Sequence, residues 1–166
     1  MLMNTQQVMA FLPHRDPFLF IDSVTSVELP AHAIDMPKPL KPSDMVGGKT
    51  LCRFTVRPET KVLEGHFPGY PILPGVVQVE MMAQASAFLM IHAISGPMEE
   101  SKLDVALLGV EKAKFRRPVL PGMKLDVSTV LTKVRGPMTT YDAQIHCDGE
   151  LISECSFLAS LRILSK

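Results

Sequence analysis

Apolar and polar residues alternate from Thr50 to Arg57, where Cys52, Phe54 and Val56 are separated by Arg53, Thr55 and Arg57. That period of two is the signature of a half-buried strand. The longest apolar stretch, Val76 to Ile94, behaves differently: a helix built from it is apolar on almost every face. Such a helix must be surrounded by other elements, and at about 3.6 residues per turn it makes about five turns. Gly96-Pro97 ends it. Gln78, Glu80, Gln84 and His92 interrupt the stretch, which argues for a core helix rather than a membrane span. The wrapping elements follow as strands over Asp104 to Lys114, Lys124 to Arg135, Met138 to Cys147 and Glu150 to Ile163. Asp148-Gly149 joins the last two as a favoured hairpin turn.

Upstream, Thr5 is expected to cap a short helix carrying Val8, Phe11 and Leu12, ended by Pro13 and Pro17. Phe18 to Glu28 reads as a strand. Leu29 to Lys49 contains Pro30, Pro37, Pro39, Pro42, Gly47 and Gly48, the punctuation of an irregular loop. No internal repeat or composition shift divides the chain, so residues 1–166 are expected to form a single α+β domain with an antiparallel sheet around one helix.

Composition narrows the function classes. The chain has 17 Lys+Arg against 17 Asp+Glu, without the basic excess of a nucleic-acid or anionic-membrane binder. Cys52, Cys147 and Cys155 are odd in number and lack C-x-x-C spacing, so reduced thiols in a cytoplasmic protein are expected rather than a disulfide framework or zinc site. The N-terminus has no basic region followed by a long apolar core and small-residue cleavage site, so export is not expected. His32, His92 and His146 have no metal-ligand spacing, and no glycine-rich phosphate loop is present. Neither a metal nor another cofactor is expected.

The densest unusual segment runs from Glu64 to Val76 directly into the apolar helix. Its prolines and glycines hold an irregular backbone around His66. Glu80 lies early in the helix, where an unpaired carboxylate is expected to have a raised pKa. Gln84, four residues on, shares its helix face. Stabilising the helix dipole is a structural alternative for Glu80, as is satisfaction by backbone groups for His66. Together, the two make an acid–base pair suited to neutral pH. The N–H groups of Gly75 and Val76 open the helix without a strong side-chain cap and are placed to bind an oxyanion. With Gln84, Phe67 and Tyr70, they are the candidate substrate-binding residues. Base, acid and oxyanion donors in an apolar setting suit proton abstraction beside a carbonyl followed by loss of a protonated leaving group.

Leu12-Pro13-His14-Arg15-Asp16-Pro17-Phe18-Leu19, the run from His66 to Val76, Glu80 and Ala83-Gln84-Ala85 resemble the beta-hydroxyacyl-acyl carrier protein dehydratases of bacterial-type fatty acid synthesis. The likeness continues from Val110 to Gly122. The resemblance implies a hot-dog fold and a cofactor-independent dehydratase converting 3-hydroxyacyl thioesters on acyl carrier protein to trans-2-enoyl thioesters. It implies that His66 takes the α-proton, Glu80 protonates the departing hydroxyl and the Gly75 N–H binds the thioester carbonyl. It further implies a homodimer, with histidine and glutamate supplied by different protomers, and dimers that often associate as hexamers. Glu80, rather than aspartate, favours the branch that does not isomerise its product.

The chain departs from that pattern in the long segment at 29–49, in Val62-Leu63 where aromatics are common, and in Ser23 after Asp22. Lys112, Lys114, Arg116 and Arg117 form a basic cluster, read either as a solvated strand edge or as a docking patch for acyl carrier protein. Met81, Met82, Phe88 and Met90 fit an acyl tunnel or ordinary core packing. His14 and Arg15 are read as parts of a structural turn, with no catalytic role. A hot-dog acyl thioesterase and a non-catalytic acyl-thioester-binding protein are the competing functions.

Overall fold

The apolar stretch becomes the buried axis of the protein in the computed structural model, which describes residues 1–97 and 101–165. Helix α2 (Gly75–Ala87) packs against the inner face of one antiparallel sheet. The sheet comprises β1 (Ser23–Glu28), β2 (Lys49–Thr55), β3 (Ser101–Phe115), β4 (Lys124–Arg135), β5 (Met138–Cys147) and β6 (Glu150–Ser165). Their spatial order is β1-β2-β4-β5-β6-β3, and α2 contacts every strand from β2 to β6. This is the hot-dog arrangement.

Alternation places one side chain in two on the helix. Leu125, Val127 and Leu131 of β4, Tyr141, Ala143 and Ile145 of β5, and Cys155, Phe157 and Ala159 of β6 are buried there. Met81, Met82, Phe88 and Met90 meet them as fully buried core residues. Gly75–Ala93 is long and apolar enough to cross a membrane, but 67% of its apolar window is buried within the fold. Burial against the sheet accounts for its composition.

The boundaries of β4 and β5 agree with the sequence pattern, whereas other elements depart from it for identifiable reasons. Asn4, rather than Thr5, caps α1 (Thr5–Phe11), because its side chain accepts from the Gln7 N–H while the Gln7 side chain accepts from the Asn4 N–H. This reciprocal bonding satisfies two otherwise free donors. β1 starts at Ser23, five residues after Phe18. The intervening backbone bonds to a side chain: Phe20 N–H donates to Gln84 Oε1, and Phe18 O accepts from Gln84 Nε2.

The helix predicted to continue to Ile94 narrows to a 3-10 turn over Phe88–Ala93. Ser86 Oγ donates to Ala83 O at 2.7 Å, and such back-bonding perturbs the regular ladder. The 29–49 segment contains 3-10 turns at Ala31–Ala33 and Pro42–Met45 and buries Ala33, Leu40 and Met45. It covers the end of the helix through a Leu40 N–H bond to His92 O at 2.9 Å. A Cβ on Gly48 would lie 2.8 Å from both Leu89 Cδ1 and Met45 O, so only glycine permits this approach without displacement.

Phe88 is fully buried and lies 5.3 Å from Phe11, centroid to centroid. Phe88→Ala is expected to lower unfolding free energy by about 3–5 kcal/mol through lost burial and a residual cavity. Urea unfolding of wild type and variant at matched protein concentration checks this.

Candidate active site

His66 sits on a loop closed by its own backbone. Phe67 and Tyr70 exchange N–H to O bonds in both directions, and the Ile72 N–H donates to His66 O at 2.8 Å. Gly69 accepts the turn at φ +77°, in the region glycine enters without a Cβ penalty. The His66–Phe67 peptide is cis, and the two rings stack with centroids 4.2 Å apart. His66 Nδ1 lies 2.8 Å from Ile72 O. A carbonyl only accepts, so Nδ1 carries the hydrogen; in the neutral ring, Nε2 therefore has a free lone pair. The loop presents a base.

Glu80 lies in the second turn of α2, beyond the first-turn position from which a carboxylate best complements the helix dipole. Its carboxylate is paired, by Gln84 on the shared helix face and by His14, which the sequence reading did not anticipate. Gln84 Nε2 donates to Glu80 Oε1 at 2.9 Å, and His14 Nε2 lies 3.2 Å from the same oxygen. The His14 hydrogen bond pulls the Glu80 pKa below its ordinary value; burial opposes this, and the Gln84 hydrogen bond adds to the depression. The upward shift expected of an unpaired carboxylate does not occur, because the polar partners outweigh desolvation. A small cavity of about 70 Å³ adjoins the pair, with Val105, Leu107, Ala159 and Leu161 among its walls.

His66 is not among that cavity's lining residues. Its bonded partner is Ile72, whereas Glu80 is bonded to His14 and Gln84. The contact that sequence reasoning did not anticipate is that of His14 with Glu80. Its signal was the lone imidazole in the Leu12-Pro13-His14 turn, whose contact with Glu80 becomes visible only when the chain folds.

The remaining candidates fall into distinct places. Gly75 and Val76 open α2 without an acceptor for either N–H among the described residues. Val76 is 77% exposed, and Phe67 and Tyr70 are also exposed. A Cβ on Gly75 would come within 2.9 Å of the Phe115 ring, so glycine lets β3 close over the helix start. Arg116 is paired with Glu154 and Arg117 with Glu150. These pairs reduce the cluster's free positive charge. Lys112 and Lys114 line a groove of about 560 Å³ with Asp142, Gln144 and Glu154. These outer-face side chains alternate along the sheet with buried residues of the inner face.

The depressed Glu80 pKa has a consequence for stability. A carboxylate whose folded pKa lies below its unfolded value contributes stability above the ordinary value of 4.5; that contribution is lost as pH falls through the folded value. Thermal melts between about pH 5 and about pH 3 are expected to fall more steeply for wild type than for Glu80→Gln. Parallel slopes would contradict that assignment.

Comparisons with known proteins agree with this architecture. The FabA-like domain family matches residues 12–156. The 3-hydroxyacyl-[acyl-carrier-protein] dehydratase FabZ of Erythrobacter litoralis is 36% identical over 160 residues, covering 95% of this chain and 92% of that protein. The FabZ protein of Nitratiruptor sp. is 34% identical over 163 residues, covering 96% and 98%, respectively. Against the bifunctional enzyme LpxC/FabZ of Chlorobaculum tepidum, identity is 31%, and the match spans only 30% of that longer protein. The dehydratase heterocomplex ApeI:P of Xenorhabdus doucetiae contains a chain with the same fold at TM-score 0.63 and 19% identity, covering 93% of this chain and 90% of that one. The family match and the near end-to-end FabZ relatives place this chain in the FabA-like family.

Proposed function

We propose that this protein dehydrates 3-hydroxyacyl thioesters carried on acyl carrier protein to trans-2-enoyl thioesters, with His66 as base and Glu80 as acid. The observation that carries the reading is the Nδ1 to Ile72 carbonyl bond, which leaves His66 Nε2 free to accept a proton. His66 Nε2 takes the α-proton as the carbon–hydrogen bond breaks. Those electrons form the double bond as the β-carbon–oxygen bond breaks, and the departing hydroxyl takes a proton from the protonated fraction of Glu80, kept small in the free protein by the His14 and Gln84 contacts, and leaves as water. Return of the proton from His66 to Glu80 through solvent resets the pair. The N–H groups of Gly75 and Val76 bind the thioester oxygen as negative charge develops. Phe67, Tyr70 and Gln84 complete the substrate site without a cofactor.

A second copy completes this reading. β3 lies at one edge of the sheet, and Leu107, Leu108, Val110 and Phe115 on it are exposed. A long edge strand with exposed apolar residues invites pairing. A homodimer joined there brings the His66 of one copy to the Glu80 of the other, and such dimers assemble further into hexamers. The protein works in the cytoplasm.

Purified protein is expected to remove water from a 3-hydroxyacyl-carrier thioester, read by mass spectrometry. Folded His66→Ala and Glu80→Gln should each lose about 100-fold or more in turnover, the scale of positioned acid–base catalysis. Wild type that leaves the substrate intact overturns the proposal, while free thiol release would identify the thioesterase alternative.

Lys112 and Lys114 have no ion pair within 4.0 Å among the described residues and supply the carrier-docking charge, with Arg116 and Arg117 as flanking contacts. Raising salt is expected to slow turnover of carrier-bound substrate more than that of a short free thioester. Equal salt responses would remove the docking role.

A further inference from the structure

Glu80 has two oxygens in different situations. Oε1 receives the Gln84 amide at 2.9 Å and lies 3.2 Å from His14 Nε2, whereas Oε2 has no hydrogen-bond partner among the described residues. From this asymmetry we infer that His14 is a positioning residue: with Gln84 it pins Oε1, so that Oε2 is the oxygen that exchanges a proton with substrate. The inference rests on the dehydratase reading and adds a third side chain to it.

Three observations support His14 in this role. The His14 and Glu80 side chains are 24% and 27% exposed, so their contact is more enclosed than a freely solvated surface pair. Gln84 is itself held: its Oε1 accepts from Phe20 N–H at 2.9 Å and its Nε2 also donates to Phe18 O at 2.7 Å. The amide orientation is set by two backbone groups, so it presents Glu80 with a donor rather than an acceptor. Finally, His14 Nδ1 is buried without a hydrogen-bond partner. A hydrogen there would be a buried donor lacking an acceptor, an arrangement rarer than an unpartnered acceptor. The neutral Nε2–H tautomer avoids it and puts its hydrogen on the nitrogen that lies 3.2 Å from Oε1.

Within one copy the electrical surroundings are simple, and in the proposed dimer the His66 of the other copy joins them. His14 reaches Glu80 from the turn after α1, and Gln84 reaches it from α2. The facing residues Val105, Ala106 and Leu107 on β3 and Ala159 and Leu161 on β6 are apolar. Around this cavity, His14 is the titratable side chain facing Glu80 among the described residues. Loss of its hydrogen bond should therefore move Glu80 back towards its ordinary pKa.

His14→Phe keeps a planar ring and removes the donor, while His14→Gln retains an amide donor of similar reach. With folded oligomer verified for each, His14→Phe is expected to lower kcat about 10- to 100-fold, the scale of a reacting group held out of place, despite the larger acid fraction that a higher Glu80 pKa supplies. KM should stay within about twofold, and the limb of the pH profile that reports Glu80 should move to higher pH. His14→Gln should recover most of kcat and return that limb towards wild type. Unchanged kcat in folded His14→Phe, or reduced kcat with an unmoved Glu80 limb, would overturn the inference. Nitrogen NMR of His14 in wild type supplies a test independent of the variants' folding. A pyrrole-like Nε2 and pyridine-like Nδ1 support the positioning geometry, and the reversed pattern refutes it. Glu80→Gln separates the layers: if it retains wild-type turnover, the dehydratase assignment of Glu80 fails; if it is inactive while His14→Phe is unaffected, only the inference fails.

Discussion

The Gln84 side chain ties the helix to the chain that approaches the sheet. It is 2% exposed and bonds Phe18 O, Phe20 N–H and Glu80 Oε1. A buried amide left without these partners would carry a desolvation cost of about 1–3 kcal/mol. Satisfying it draws the Phe18–Phe20 backbone against α2 and orients one face of the carboxylate. The same polar group that satisfies itself inside the apolar helix therefore also holds the Glu80 carboxylate in place. Fold and site share one constraint.

That sharing explains what was legible in the sequence. β4 and β5 were readable because their alternation directly reports one buried and one open face. The apolar helix was readable because it had to be wrapped, and the proline-glycine run around His66 announced a held backbone. The early end of α-helical geometry and the late start of β1 were not readable, because each depends on side-chain bonds to backbone. Glu80 was legible as a lone acid among apolar neighbours; the direction of its pKa shift was not. That direction depended on His14, a residue distant in sequence and ambiguous beside prolines.

The arrangement also explains why one chain presents separated chemical parts. His66 is held by Ile72 on the loop before α2, while Glu80 is engaged from the other side by His14 and Gln84. The exposed side chains of β3 form an apolar edge that water covers poorly. Aromatic groups around the helix start remain exposed as well. Association through β3 would use the hydrophobic effect to assemble these surfaces without reorganising the buried helix.

The segment between β1 and β2 carries a different implication. Leu40 meets the last turn after α2, and the backbone at Gly48 approaches Leu89 too closely for an added Cβ to fit without displacement. What looks dispensable in linear sequence is, in three dimensions, the cover over the end of the buried helix. Over evolutionary change, trimming this stretch would require compensating replacements along Leu89–His92 at the same time, because either alteration alone opens the core to water. The length of the connection and the identity of the helix end are therefore physically coupled.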